Sequence, residues 1–232
     1  MKARLALLAG LLLAPPAMAA PRPVVVEMFT SQACSSCPPA DALLRRLAAA
    51  DPGLLALDLH VTYWNGAAYR DPYALAAATV RQNWYAGLAG ASEVYTPEAV
   101  VDGASSLVGS NGPALRAAIA RARGGDGIAV TVAAGARHVS VRLAAGAGSG
   151  QAVLFGYDPV HTTKVGGGEN AGATLTEIDV VRSITRLGRW HGAARTLVVP
   201  RPAGARFAVL VQAANGAMLG VGRQPRRAPA AR

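Results

Sequence analysis

Cysteine is scarce in this 232-residue chain, which has only Cys34 and Cys37. Two cysteines cannot staple a small disulfide-dense fold, and a chain this long with 52% hydrophobic residues can build ordinary apolar cores. That leaves the pair available for chemistry. Acidic residues are also few, 13 against 23 Lys and Arg. Such a balance can signal a nucleic-acid partner, but aromatics make up 5% of the chain and the arginines are scattered. Arg45, Arg81, Arg116, Arg142 and Arg182 form no run with interleaved rings, so no nucleic-acid partner is expected. Beyond the N-terminus no apolar run approaches the roughly 20 residues that a bilayer span takes. No internal repeat is visible.

The N-terminus has the form of an export signal. Lys2 and Arg4 precede the apolar run Leu5 to Ala14, and Ala17-Met18-Ala19 supplies the small residues that a signal peptidase requires. Cleavage after Ala19 removes residues 1–19 and predicts a periplasmic or secreted protein without a stable membrane span.

From Val24 to Arg123 the pattern alternates. "VVVEMF" (Val24 to Phe29) reads as a strand buried on both faces. "PPADALLRRLAAA" follows as a helix, with prolines where a first turn tolerates them. "LLALDLHV" (Leu54 to Val61) is a second strand, and Asp71 to Leu88 has helical spacing. "PEAVVDG" and "SSLVGS" form a hairpin around Asp102-Gly103, and Asn111 caps a third helix. The order is β-α-β-α-β-β-α. Gly124 to Gly127 breaks the composition, and the period then changes to two through "IAVTVAA", "HVSVRLAA", "QAVLFGYD", "HTTKV", "TLTEIDVVRSI", "ARTLVV", "RFAVLVQ" and "AMLGVG". The expected architecture is an α/β domain at 23–123, an all-β, sandwich-like domain at 128–222, and a basic tail at 223–232.

Cys34 closes a strand-to-helix loop, and the spacing places Cys37 about one turn inside the helix. Helix N-terminal amides lower a thiol pKa, which makes Cys34 the expected nucleophile and Cys37 the resolving thiol. "VYTPEAVVDG" puts Thr96-Pro97 at the start of the third strand, where a cis bond would let Thr96 present its backbone to an extended substrate. Glu27 lies in an otherwise apolar strand; it is read either as a proton shuttle with a raised pKa or as a structural glutamate, at the strand's edge or paired with an arginine. Tyr63 and Trp64 suit packing or the lip of a substrate groove. His60 is read either as a strand cap or, with both cysteines, as a copper site. "GGGENAG" (Gly166 to Gly172) suggests a tight structural turn, and it lacks the lysine and helix of a phosphate loop.

Val24 to Arg123 resembles a thioredoxin domain. "VEMFTSQACSSCPPADALL", "LHVTYWN", "VYTPEAVVDG" and "GGGENAGATLTEIDVVRSITRLGRW" are together similar to the secreted bacterial proteins of domain of unknown function 1223 (DUF1223). The resemblance implies a thioredoxin-like N-terminal domain, a β-rich extension and an extracytoplasmic location. It departs at Ala33, where glycine is usual, and at Asn65, where aspartate is usual. The expected function is thiol–disulfide exchange on protein or peptide thiols and disulfides, with a separate redox partner protein. Its expected site is catalytic Cys34, Cys37 and Glu27 with substrate-binding Thr96, Pro97 and Trp64. No cofactor and no metal are expected for it. The alternatives are a binding protein with a permanently closed Cys34–Cys37 bridge and a copper carrier.

Overall fold

The computed structural model describes residues 22–225, so the expected signal peptide and positions 226–232 of the expected tail lie outside the described residues. The first half follows the expected order. Strand β1 (Val24–Thr30) is buried along its whole length and leads into helix α1 (Pro38–Ala50). Strand β2 (Leu54–His60), helix α2 (Ala76–Ala89), strands β3 (Glu98–Val101) and β4 (Ser105–Val108), and helix α3 (Gly112–Ala122) follow. The β3–β4 connection, three residues inside the Val101↔Ser105 pair, turns on positive φ at Asp102 (53°) and Gly103 (69°), which suits an Asp-Gly turn. The Asn111 side chain accepts the Ala114 N–H at 3.2 Å and caps α3. Helix α2 starts later than its spacing predicts, because the Asp71 carboxylate holds the Tyr73 amide at 2.9 Å in a turn.

The second half is strands only: β5 (Ile128–Ala134), β6 (His138–Leu143), β7 (Gly150–Lys164), β8 (Thr174–Trp190), β9 (Arg195–Pro200), β10 (Arg206–Gln212) and β11 (Met218–Arg223). "HTTKV" is the far end of β7 and not a strand of its own. Arg223, expected to open a free tail, closes β11 and donates to the Leu54 carbonyl at 2.8 Å.

The expected architecture, a thioredoxin-like α/β domain followed by a separate all-β sandwich, is wrong. One mixed sheet of 11 strands runs β4-β3-β1-β2-β8-β7-β10-β11-β5-β6-β9. Strand β8 pairs with β2 in parallel at Asp58↔Val180 and with β7 in antiparallel, so the second half continues the sheet of the first. The physical reason lies in β2. All seven of its residues are buried, five of them apolar, and a strand so enclosed does not remain an open edge.

Packing tells the same story. A single core joins Phe29, Leu57 and Val100 from the first half to Phe155, Val181 and Leu210 from the second, with Tyr85 of α2 packed into it. The opposite face of β1 and β2 packs Met28 and Leu54 against Leu44 of α1 and Leu115 of α3. A third core, around Phe207, Trp190 and Leu154, fills the space between β7, β8 and β10 and the strands β5 and β6. Among the described residues, no helix is long and apolar enough to cross a membrane.

Candidate functional site

The cysteine loop connects β1 to α1. Its backbone turns twice, with Cys34 N–H donating to Ser31 O at 3.1 Å and Cys37 N–H to Cys34 O at 3.2 Å. Cys37 is the N-cap of α1 and not a residue inside it, while Pro38 and Pro39 fill the first two helical positions. Those prolines carry no N–H, so the helix offers the thiols fewer free amides than the spacing suggests.

Hydrogen bonds lower the Cys34 pKa instead. Its thiol falls from 9.0 to about 6, first through the Cys37 thiol and then, against the opposing effect of burial, through Ser36 and Thr96. Cys34 Sγ lies 3.2 Å from Ser36 Oγ and 3.9 Å from the Thr96 carbonyl oxygen. The Cys37 pKa moves up, because its proton is held toward Cys34 and burial disfavours its thiolate. Both cysteines are free thiols. Thr96–Pro97 is cis and starts β3, and Trp64 Nε1 donates to Thr96 Oγ1 at 2.7 Å. Cys34, Cys37, Thr96, Pro97 and Trp64 are therefore gathered in one place.

Glu27 is not. Its side chain shares a face of β1 with Val25 and Phe29, toward α2, whereas Thr30 lies on the α1 face with Val26 and Met28. The Glu27 carboxylate pairs with Arg81 and accepts the Tyr85 hydroxyl at 2.6 Å. Gln212 donates to the same hydroxyl at 2.9 Å, so Glu27 anchors α2 to β10. The arginine-paired reading is the one the structure holds, and Glu27 leaves the list of catalytic candidates.

A different acid stands near the pair. Asp41, in the first turn of α1, accepts the Thr30 hydroxyl at 3.2 Å, and Thr30 also hydrogen-bonds Cys37. Burial, with Glu177 adding to it, raises the Asp41 carboxyl from 3.8 to about 7. Beneath it lie Asp58, His60, Asp71 and Glu177, all buried. His60 Nδ1 is 2.7 Å from Asp71 Oδ2; although burial opposes its charge, that hydrogen bond and the charges of Asp58, Asp71 and Glu177 raise its pKa to about 10. Burial pushes the carboxyls of Asp58 and Glu177 upward, favouring their neutral forms. Asp71 resists burial and ends lowered, since it accepts from His60 and from the Gln32 and Tyr73 amides. His60 thus fixes the floor of the cysteine loop and does not join the sulfurs. Among the described residues, no group of three or more His, Cys, Asp or Glu side chains is placed to hold a metal. Asn65 accepts the Asp71 N–H at 3.0 Å, a structural use of the position where aspartate was expected.

The Gly166 to Gly172 turn, which joins β7 to β8, lies across the cysteine loop. Glu169 accepts the Ser35 amide at 2.8 Å, and Asn170 donates to the carbonyls of Gln32 at 3.0 Å and Cys34 at 2.8 Å. Its glycines are needed: Gly168 has φ +73°, and a Cβ there would press on Ala33 at 3.2 Å. A Cβ at Gly167 would collide with the Ala68 carbonyl. This strap helps leave Cys34 1% exposed. Sequence reasoning saw the turn but missed its partner, because the contact crosses more than 130 residues.

Fold and site together define a mixed-sheet α/β protein with a buried dithiol at a strand-to-helix turn, strapped by a loop from the other half of the chain. Residues 25–212 match the family described as "Protein of unknown function (DUF1223)", and the chain belongs to that family. It is similar to an X-ray crystal structure of a protein from Agrobacterium tumefaciens, with a TM-score of 0.78 and 26% identity over 90% of this chain and 97% of that one. HBP35 of Porphyromonas gingivalis shares the fold at a TM-score of 0.57 and 11% identity, over 88% of this chain and 75% of that one. No curated protein matches.

Proposed function

We propose that this is an exported thiol–disulfide oxidoreductase acting on protein or peptide disulfides, with a second redox protein resetting it. The observation that carries the reading is the placement of the Cys34 thiol, acidified to about 6, beside the Thr96 carbonyl and above a resolving Cys37. In the reductive direction, the Cys34 thiolate attacks one sulfur of a substrate disulfide, forming a mixed disulfide and releasing one substrate thiolate. Cys37 passes its proton by way of the Thr30 hydroxyl to the Asp41 carboxylate. Its thiolate then attacks Cys34 Sγ, closing the Cys34–Cys37 disulfide and releasing the second substrate thiolate. Two electrons pass to the substrate, and the oxidative direction runs the same steps backward. Trp64 holds the Thr96 side chain, leaving the Thr96 backbone to face the substrate chain. Since Cys34 is buried, the Glu169–Asn170 strap moves aside for each substrate.

Trapping tests this reading. Cys37→Ser should accumulate mixed disulfides with envelope proteins through Cys34, and Cys34→Ser should accumulate none. Asp41→Asn, with both cysteines present, should slow release of the adduct. Absence of adducts in Cys37→Ser favours a second reading, a binding protein whose cysteine pair does not turn over. The burial of both sulfurs is the observation behind that alternative.

A further inference from the structure

A cleft of about 550 Å³ opens between α2 and strands β7 and β8, on the face of the sheet opposite α1 and the cysteines' Thr30–Asp41 support. One wall is a helical stripe, Ala77, Val80, Arg81 and Trp84, spaced so that all four face the same way. Val153 and Ile184 form the opposite wall, with Arg186 and Arg189 at its side. Val80 is 59% exposed, an apolar side chain on this wall that nothing in the fold covers.

The two arginines arrive there through a break in the strand. The register between β7 and β8 shifts so that Val153 faces Arg186 while Ala152 faces Gly188, leaving Leu187 as the extra residue of a bulge. Leu187 and Trp190 consequently both enter the far core. Arg186 and Arg189, three residues apart, are both turned toward the cleft. In an unbroken strand, residues three apart would point to opposite faces.

The charges are one-sided. Arg81 at the base is neutralised by Glu27. Among the described residues, neither the Arg186 nor the Arg189 guanidinium has an acidic or hydrogen-bonding partner, and no Asp or Glu lines the cleft. The volume suits a small organic molecule, and the lining is mostly apolar with a few polar groups, as in ordinary ligand sites. The geometry points to a binding site for a soluble organic anion with an apolar or aromatic body, its body between Trp84, Val80, Val153 and Ile184 and its anionic head on Arg186 and Arg189. Guanidinium groups suit a carboxylate or sulfonate because their planar fork matches two oxygens at once.

A matched pair of fluorescent probes tests this on the full mature chain. Anilinonaphthalene sulfonate carries the anionic head, and N-phenylnaphthylamine has the same rings without it. The sulfonate should bind saturably at one site per chain and about tenfold or more tighter than the neutral amine, as one charge-assisted contact of ~1.4 kcal/mol provides. Arg186→Ala with Arg189→Ala should erase that difference while leaving the amine's affinity unchanged. Both arginines are exposed and unpaired, so these changes leave the fold intact, which the unfolding midpoint checks. Monomeric dodecanoate should displace the sulfonate, and vesicles of phosphatidylglycerol should not. Equal affinity for the two probes, sulfonate binding unchanged in the double variant, or arginine-dependent capture by the vesicles would overturn the proposal. Cys34→Ser with Cys37→Ser should bind the sulfonate as the wild type does, which separates this site from the redox reading.

Discussion

At the scale of single residues, the site depends on two thiols being driven apart in acidity. Cys34 is lowered because the Cys37 thiol, the Ser36 hydroxyl and Thr96 all favour its anion over the cost of burial. The sign follows directly: with a pKa of about 6 the thiolate is half formed near pH 6 and about nine-tenths formed at pH 7. Ultraviolet thiolate absorbance, followed against pH, should show one inflection near 6 for the reduced protein. In Cys37→Ala the largest lowering contact is gone, and the inflection should rise toward the 9.0 from which it was lowered. An unshifted inflection would show that Cys37 does not set the Cys34 acidity.

Residue-scale chemistry was partly legible in the sequence. Cys34 and Cys37 announce themselves by rarity, and Thr96-Pro97 by its place before a hairpin. Glu27, an acid in an apolar strand, leaves a shuttle and an arginine partner both open in the sequence, and the strand's alternation, which puts it on the face of Val25 and Phe29 and away from Thr30, decides for the arginine. Asp41 hides in a helix whose first turn favours acids for local reasons, so nothing marks it as buried until Thr30 is seen above it. Asp58, inside "LLALDLH", carries the same kind of signal as Glu27, an acid in an apolar strand.

At the scale of elements, the turn between β7 and β8 matters most. Three side-chain hydrogen bonds of Glu169 and Asn170 clamp the cysteine loop. The two from Asn170 contribute about 1 kcal/mol net each, and 1.4 kcal/mol is a factor of ten in an equilibrium. Glu169→Ala with Asn170→Ala should therefore raise the rate of Cys34 alkylation by iodoacetamide at least about tenfold, with unchanged far-ultraviolet circular dichroism. An unchanged rate would mean that the strap does not govern access. Local turn chemistry made the glycine run readable as a tight loop. Which segment it would cover was not readable, because that is fixed by where β8 enters the sheet.

At the scale of the whole molecule, strand β8 decides the architecture. Most elements of the first half were legible, since each is specified by local periodicity and by short-range punctuation such as Asp102-Gly103 and Asn111. Their assembly was not: the insertion of β8 beside β2 is a long-range pairing, and no local pattern encodes it. The Gly124 to Gly127 break looked like a domain boundary, and it does end α3, but Leu57 and Leu210 lie in the same core across it. A fragment of residues 22–123 would leave the β2 edge open and strip Phe155, Val181 and Leu210 from the core. It should show no cooperative unfolding transition in denaturant, whereas the full chain should. Cooperative unfolding of the fragment would restore two independent units.

Redox titration against glutathione, with the Cys34–Cys37 state read by alkylation after acid quenching, bears most directly on the proposed exchange chemistry. The account predicts a reversible two-electron transition with a midpoint between about −120 and −270 mV, the span of known exchange catalysts. A pair that stays oxidised below about −300 mV, or one that never forms a disulfide across the titration, would contradict it.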